Sequence, residues 1–278
     1  MWRVLVALIL VVSLAGCESV ASVATPTPTT ITIAGATAMR PLLRDLAAEF
    51  SRLHPDVIFD LRGGGSALGE EQAASGQVTL GASTLPAPSI APPTPLRRTP
   101  IGLDGLAIVV HASNPITNLT ALQLRDIFSG RVLNWRALSG DDQEMTLVSR
   151  EDGSGSRRAF EERIMGDEAV SLTAVVMPTS QAVMDYVASH PAAIGYVSRA
   201  YVVDQLAGEV DSPASVRVVA VEGQKPTLEN LRNQGYYLMQ PLYLLSVEAP
   251  RGRVRQFVDF ALSPAGQQIM ARYHAPVR

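Results

Sequence analysis

A chain of 278 residues is long for one ordinary core and suits about two domains at roughly 150 residues each. Its 47% hydrophobic and 18% charged residues exclude a mostly disordered chain, and a net charge of −3 without a basic run argues against a nucleic-acid partner. Every basic residue except Lys225 is arginine; the planar fork suits oxyanions, but an arginine-rich genome gives the same bias, so the skew alone defines no site.

Taken in chain order, an apolar run from Val4 to Leu14 follows Arg3, the layout of a secretory signal too short to span a bilayer comfortably. Leu14-Ala15-Gly16-Cys17 resembles the bacterial lipobox. That resemblance implies a signal peptide over residues 1–16 and a lipid on the Cys17 thiol, anchoring the chain to the membrane on its extracytoplasmic side. The alternative is an ordinary signal peptide with an incidental cysteine. Cys17 is the only cysteine, so an intrachain disulfide or a thiolate metal cluster is excluded. Residues 17–30, rich in Ser, Thr and Pro, read as a tether.

The folded part is expected to start with a strand at Ile31-Thr32-Ile33. A helix follows, with Leu42, Leu43, Leu46, Ala47, Phe50 and Leu53 on one face, Thr37 as N-cap and Pro41 in its first turn. Val57 to Leu61 is a strand, Gly63-Gly64-Gly65-Ser66 a turn, Leu68 to Ala74 a helix and Val78 to Ala82 a strand. A proline-dense stretch, Pro86 to Pro100, reads as a surface loop, and Leu103 to Val110 restores a buried strand. The middle alternates: helix Thr120–Phe128, strand Met145–Ser149, helix after Gly153, helix Ser180–Ser189, then strands Ala193–Val197 and Val216–Val221. A β-prone run, Leu238 to Val247, and helices near 251–262 and 264–273 close the chain. The alternation predicts an open α/β architecture. The two long β-prone runs read as crossovers joining two lobes: a discontinuous first lobe, 31–107 plus 222–278, and a second, 108–221. A cleft between such lobes is a favoured ligand site.

Three turns share one grammar, strand, then small and hydroxylated residues, then a helix start: Gly35-Ala36-Thr37-Ala38, Gly64-Gly65-Ser66-Ala67 and Gly153-Ser154-Gly155-Ser156. Helix N-termini expose unpaired N–H groups and a partial positive charge, so each is a potential anion cradle. One such turn is no more than a cap; three, one of them just after Arg150, point to an oxyanion site.

On these residues the chain resembles the PstS-like phosphate-binding proteins of bacterial ABC importers. Ile33-Ala34-Gly35-Ala36-Thr37, Gly64-Gly65-Ser66 and Arg150-Glu151-Asp152-Gly153-Ser154-Gly155-Ser156 are similar to the family's ligand loops, the last to its R-x-D-G-S-G-T segment. Supporting pieces are Asp126 to Gly130 with Asn134-Trp135, Ala193 to Val197, and Pro226-Thr227 before Tyr237-Leu238; Trp135 and Tyr196 are expected in the core. The resemblance implies a two-lobe, type II periplasmic-binding-protein fold, closing over an anion presented to an ABC permease, with no cofactor, no metal and a monomeric chain. It implies that Thr37, the Ala38 N–H, Ser66, Arg150, Ser154, Gly155 and Ser156 contact the anion, while Asp152 holds Arg150 or forms an Asx turn. Thr84 also belongs to this site, where many family members carry an acidic residue that accepts the proton of hydrogen phosphate and repels sulfate. Threonine accepts that proton without the charge penalty, so phosphate leads and sulfate, molybdate, tungstate or a phosphonate stays open.

An enzyme is the rival class. Neither Gly65-Ser66-Ala67 nor Gly153-Ser154-Gly155 completes G-x-S-x-G, none of His54, His111, His190 and His274 lies in a catalytic motif, and no spacing builds a metal cluster. His54 and His190 precede prolines at helix ends, where capping is the default. A lipid-anchored sensory or adhesive protein that kept the fold without transport is the third reading.

Overall fold

The structure, a computed structural model, describes residues 28–89, 94–207 and 215–277. The expected signal peptide, Cys17 and the tether up to residue 27 lie outside the described residues.

The first strand, β1 (Thr29–Gly35), starts inside the span read as tether, because Thr29 and Thr30 pair with Val57 and Ile58. A 3-10 turn, Thr37–Met39, precedes α1 (Arg40–Leu53), whose N-cap is Met39. Thr37 is therefore not the cap of α1: the 3-10 turn lifts its hydroxyl away from the first helical N–H groups. The helix buries Leu42, Leu43, Leu46, Ala47 and Phe50, the large ones each stabilising by about 1.5–3 kcal/mol, and leaves Leu53 half exposed. Next come β2 (Val57–Gly64), α2 (Gly65–Ala74), β3 (Leu80–Ser83) and β4 (Arg97–His111). The helix of the glycine turn starts at Gly65, earlier than Leu68, since Gly64 and Gly65 take positive φ and turn the chain straight into it. It lies so close to the sheet that a Cβ on Gly69 would sit 2.6 Å from the Ala34 carbonyl oxygen.

The proline-dense segment ends sooner than expected. Residues 97–100 already belong to β4, and Pro100 is tolerated there because the register against the partner strand shifts at that point. The middle of the chain contributes β5 (Asn118–Leu119), α3 (Ala121–Phe128), β6 (Thr146–Arg150), α4 (Gly155–Phe160), β7 (Val175–Met177), α5 (Ser180–Ser189), β8 (Ala193–Ser198), α6 (Val203–Ala207) and β9 (Val216–Val221). Thr120 caps α3 in a reciprocal box with Gln123, and α4 runs on into a π-helical turn, Glu161–Met165. The C-terminal part holds α7 (Leu228–Arg232), β10 (Met239–Ser246), α8 (Gly252–Leu262), α9 (Pro264–Tyr273) and β11 (Ala275–Pro276).

Two groups of strands share β4. In the first, β2, β1 and β3 run parallel, and β10 joins antiparallel between β3 and the Arg97–Gly105 half of β4. In the second, the Leu106–His111 half of β4 pairs antiparallel with β8 and β9, while β6 lies parallel between β8 and β7. The pairing changes hands between Gly105 and Leu106; β10 stays in the first group and begins at that seam. One core packs Ile31, Ile33, Leu42, Leu46, Phe50 and Phe257. Another packs Phe128, Trp135, Phe160 and Tyr196, with Phe160 stacked on Tyr196 at 4.3 Å between centroids, and takes in Leu231, Tyr236 and Leu238.

Candidate anion-binding site

Parallel strands deliver their C-terminal ends to one place, where open α/β sheets hold ligands. There β1 ends at Gly35, β2 at Gly64, β3 at Ser83 and, from the other group, β6 at Arg150. The turns leaving these ends surround a small, tight cradle lined by Thr37, Ala38, Ser66, Thr84, Arg150, Ser154, Gly155 and Ser156, with Ala36 and Gly65 completing the wall. The structure thus brings together every anion contact that the sequence suggested; Cys17 lies outside the described residues, and Asp152 is elsewhere.

Donors dominate the lining. The opening N–H groups of α2 and α4 have no carbonyl one turn behind them. Ser154 caps α4, its Oγ accepting from the Arg157 N–H at 3.4 Å. Ser66 Oγ accepts from the Thr84 N–H at 3.1 Å and lies 3.4 Å from Thr84 Oγ1. Arg150, only 1% exposed, donates from Nη2 to Thr37 Oγ1 (3.2 Å) and from Nη1 to Ser180 Oγ (3.1 Å). Its Nε and Nη2 also donate to the two carboxylate oxygens of Glu151, at 2.9 and 2.8 Å. Below it, burial pushes the Tyr196 phenol up to about 12, so the ring stays neutral while its oxygen accepts from the Arg150 N–H.

Glu151, not Asp152, steadies the guanidinium. Residues two apart share a face of a strand, which favours Asp152, but β6 ends at Arg150 and the alternation ends with it. Asp152 points to solvent and pairs with Arg157 at 2.6 Å. Replacing Glu151 by Gln is expected to lower the unliganded melting temperature by about 4–8 °C, the effect of losing about 2 kcal/mol of charge-assisted hydrogen bonding. Asp152→Asn, acting on an exposed pair, is expected to change it by about 1–2 °C or less; calorimetry of the two variants tests the assignment. Ser180 also escaped the sequence reading. Met177-Pro178-Thr179-Ser180 repeats the strand-to-helix grammar of the other turns, and that repetition was the available signal.

Contacts cross between the two strand groups around the cavity. Besides Arg150 to Thr37, the Tyr201 hydroxyl donates to the Thr37 carbonyl (2.8 Å), and the Ala67 N–H donates to the Gly153 carbonyl (3.0 Å). Beneath it, at the seam, a fully buried cluster gathers on Asp104 of β4. One carboxylate oxygen accepts from Ser198 Oγ (2.9 Å) and His274 Nδ1 (3.0 Å), the other from Gln240 Nε2 (2.7 Å). Gln240 Nε2 reaches Ser156 Oγ as well, at 3.2 Å. His54 ends α1 and His190 ends α5, where the sequence put them.

Two lobes' worth of strands around a small donor-lined cradle define a binding protein of the two-lobed α/β class. Residues 21–265 match the PBP superfamily domain, and the chain belongs to that superfamily, with PstS phosphate-binding proteins as its relatives there. The Phosphate-binding protein PstS of Bacillus subtilis (strain 168) is 28% identical over 245 residues, covering 84% of this chain and 75% of that one. A crystal structure from Clostridium perfringens, described as a phosphate ABC transporter substrate-binding protein with bound phosphate, aligns at a TM-score of 0.80 and 30% identity, covering 90% of this chain and 100% of that one. An ABC-type phosphate transport receptor from Vibrio cholerae aligns at 0.67 and 30% identity, covering 87% and 98%.

Proposed function

We propose that the cradle binds inorganic phosphate and that the chain is the extracytoplasmic receptor of an ABC importer, tethered through a lipid on Cys17 and handing its cargo to a membrane permease. The convergence of four strand-end turns on one cavity with a single buried guanidinium carries this reading. The Arg150 guanidinium is partly offset by Glu151, so aligned N–H and O–H dipoles share with it the task of meeting the anion's charge. Binding needs no acid, base or nucleophile. A general base must reach the proton it takes, and among the described residues His274 Nε2 is buried without a hydrogen-bond partner, so the Asp104–His274 pair has no nucleophile beside it to activate.

Thr84 favours a cradle tolerant of sulfate, because it places a hydroxyl where a carboxylate would reject an unprotonated anion. In a thermal-shift panel on the mature chain, phosphate at about a hundred times its Kd is expected to raise the melting temperature by about 5–10 °C, with sulfate giving a shift of similar size. No shift with phosphate, sulfate, molybdate, tungstate or arsenate would sink the reading.

A further inference from the structure

We infer that Gln240, outside the cradle on β10, is a positioning residue that makes Ser156 a hydrogen-bond donor to the anion; this rests on the phosphate-binding reading above. The amide orientation follows from its partners. The Asp104 carboxylate only accepts, so Gln240 must turn its NH₂ toward it, and the same nitrogen lies 3.2 Å from Ser156 Oγ. One N–H goes to Asp104 and the other to Ser156. An NH₂ group cannot accept, so the Ser156 hydroxyl cannot turn its proton back toward β10. Its O–H is left to point elsewhere, and the cavity is what Ser156 lines.

The arrangement carries an internal sign of its purpose. Among the described residues, Gln240 Oε1 is buried without a partner, the mark of an amide held by its nitrogen side. Flipping the amide would leave the oxygen facing a carboxylate, so the orphan persists as long as Asp104 holds the nitrogen. Asp104 is itself anchored from both sides of the seam, by Ser198 of β8 and by His274 after α9. The chain Asp104–Gln240–Ser156 thus fixes a proton position in the cradle from a strand that contributes none of its lining. It belongs to the same selection of anions as Thr84: one hydroxyl stays free to accept, and the other is committed to donate.

The test is a double-mutant cycle read by phosphate and sulfate affinity, with the unliganded melting temperature followed in parallel. Gln240→Leu is expected to weaken phosphate binding about tenfold, in the range of one hydrogen bond. Sulfate should lose more, because a freed Ser156 can turn to accept the proton that only phosphate carries. In the Ser156→Ala background, Gln240→Leu should cause no further loss and no change in the phosphate-to-sulfate ratio. If Gln240→Leu does not fold, Gln240→Asn, whose amide still meets Asp104 but falls a methylene short of Ser156, takes its place. Losses that multiply, or a single variant that binds both anions as the unaltered chain does, would overturn the inference. An unaltered chain that binds no phosphate would instead remove the functional reading, and this inference with it.

Discussion

Replacing Arg150 by alanine is expected to lower phosphate affinity by about two to three powers of ten. The guanidinium is the one cation among the residues lining the cavity, and it is buried there. Removing one member of a buried, hydrogen-bonded charge pair is worth about 3–5 kcal/mol, and each 1.4 kcal/mol is tenfold in affinity. Lysine does not restore it: a single ammonium cannot reach Glu151, Ser180 and Thr37 together as the planar fork does. Arg150→Ala also strips Glu151 of its partner, so some loss of stability accompanies the change. The double variant Arg150→Ala/Glu151→Ala removes both charges and separates the two effects. Equilibrium dialysis with labelled phosphate, beside a melting curve of each unliganded variant, decides the matter; affinity within about threefold of the unaltered chain would show that the site is elsewhere.

Gly155→Ala is expected to be nearly as damaging to binding while leaving the unliganded protein folded. A Cβ at Gly155 would stand 1.9 Å from Thr84 Oγ1 and 2.7 Å from Ser66 Oγ, side chains presented by the opposite strand group. Both hydroxyls would have to rotate together, giving up the Thr84 N–H to Ser66 Oγ bond, and Thr84 Cβ still lies 3.1 Å away, so the substitution pushes the two groups apart. Separation breaks the bonds that span the cavity, Tyr201 to Thr37 and Ala67 to Gly153. The two cores are packed independently of those bonds, so the melting temperature should fall by only a few degrees, about 1 kcal/mol. Affinity should drop by about a hundredfold, the equivalent of losing two or three hydrogen bonds. Small-angle scattering with saturating phosphate provides the second measurement: the unaltered chain should be compact, and the variant should stay expanded. A variant that binds normally and scatters like the unaltered chain would disprove the steric argument.

Long periodic segments were read most faithfully from sequence. Helix Ser180–Ser189 and strand Val216–Val221 fall on their expected bounds, because apolar spacing and turn residues there agree with the packing. Errors gathered where local geometry overrides periodicity. Pro100 reads as loop in the sequence, yet a register shift lets a strand carry it, and Thr37 reads as a cap, yet a 3-10 turn intervenes. The cradle was legible because its grammar is local: glycine, hydroxyl and helix start lie within four residues of each other. Glu151 was missed since the end of β6 reverses which neighbour faces Arg150. Asp104, Gln240 and His274 were invisible for a different reason: they lie up to 170 residues apart in sequence, and only the pairing of β4 with β10 and the packing after α9 bring them together.

That β4 is shared has a consequence for how the chain acquires its structure. Its second half finds β8 and β9 in the middle of the chain, so most of the group around Phe128 and Trp135 comes from one continuous stretch, with Ala275 added from the C-terminal end. The first half waits: β1, β2 and β3 are made early, yet their sheet closes only when β10, and then α8 and α9, arrive from the far end. A chain emerging N-terminus first therefore carries an unfinished edge, β3 and the Arg97–Gly105 half of β4, for most of its synthesis. Contacts of such long sequence separation form slowly, and open strand edges invite wrong partners in the meantime. The first sheet begins first and is completed last.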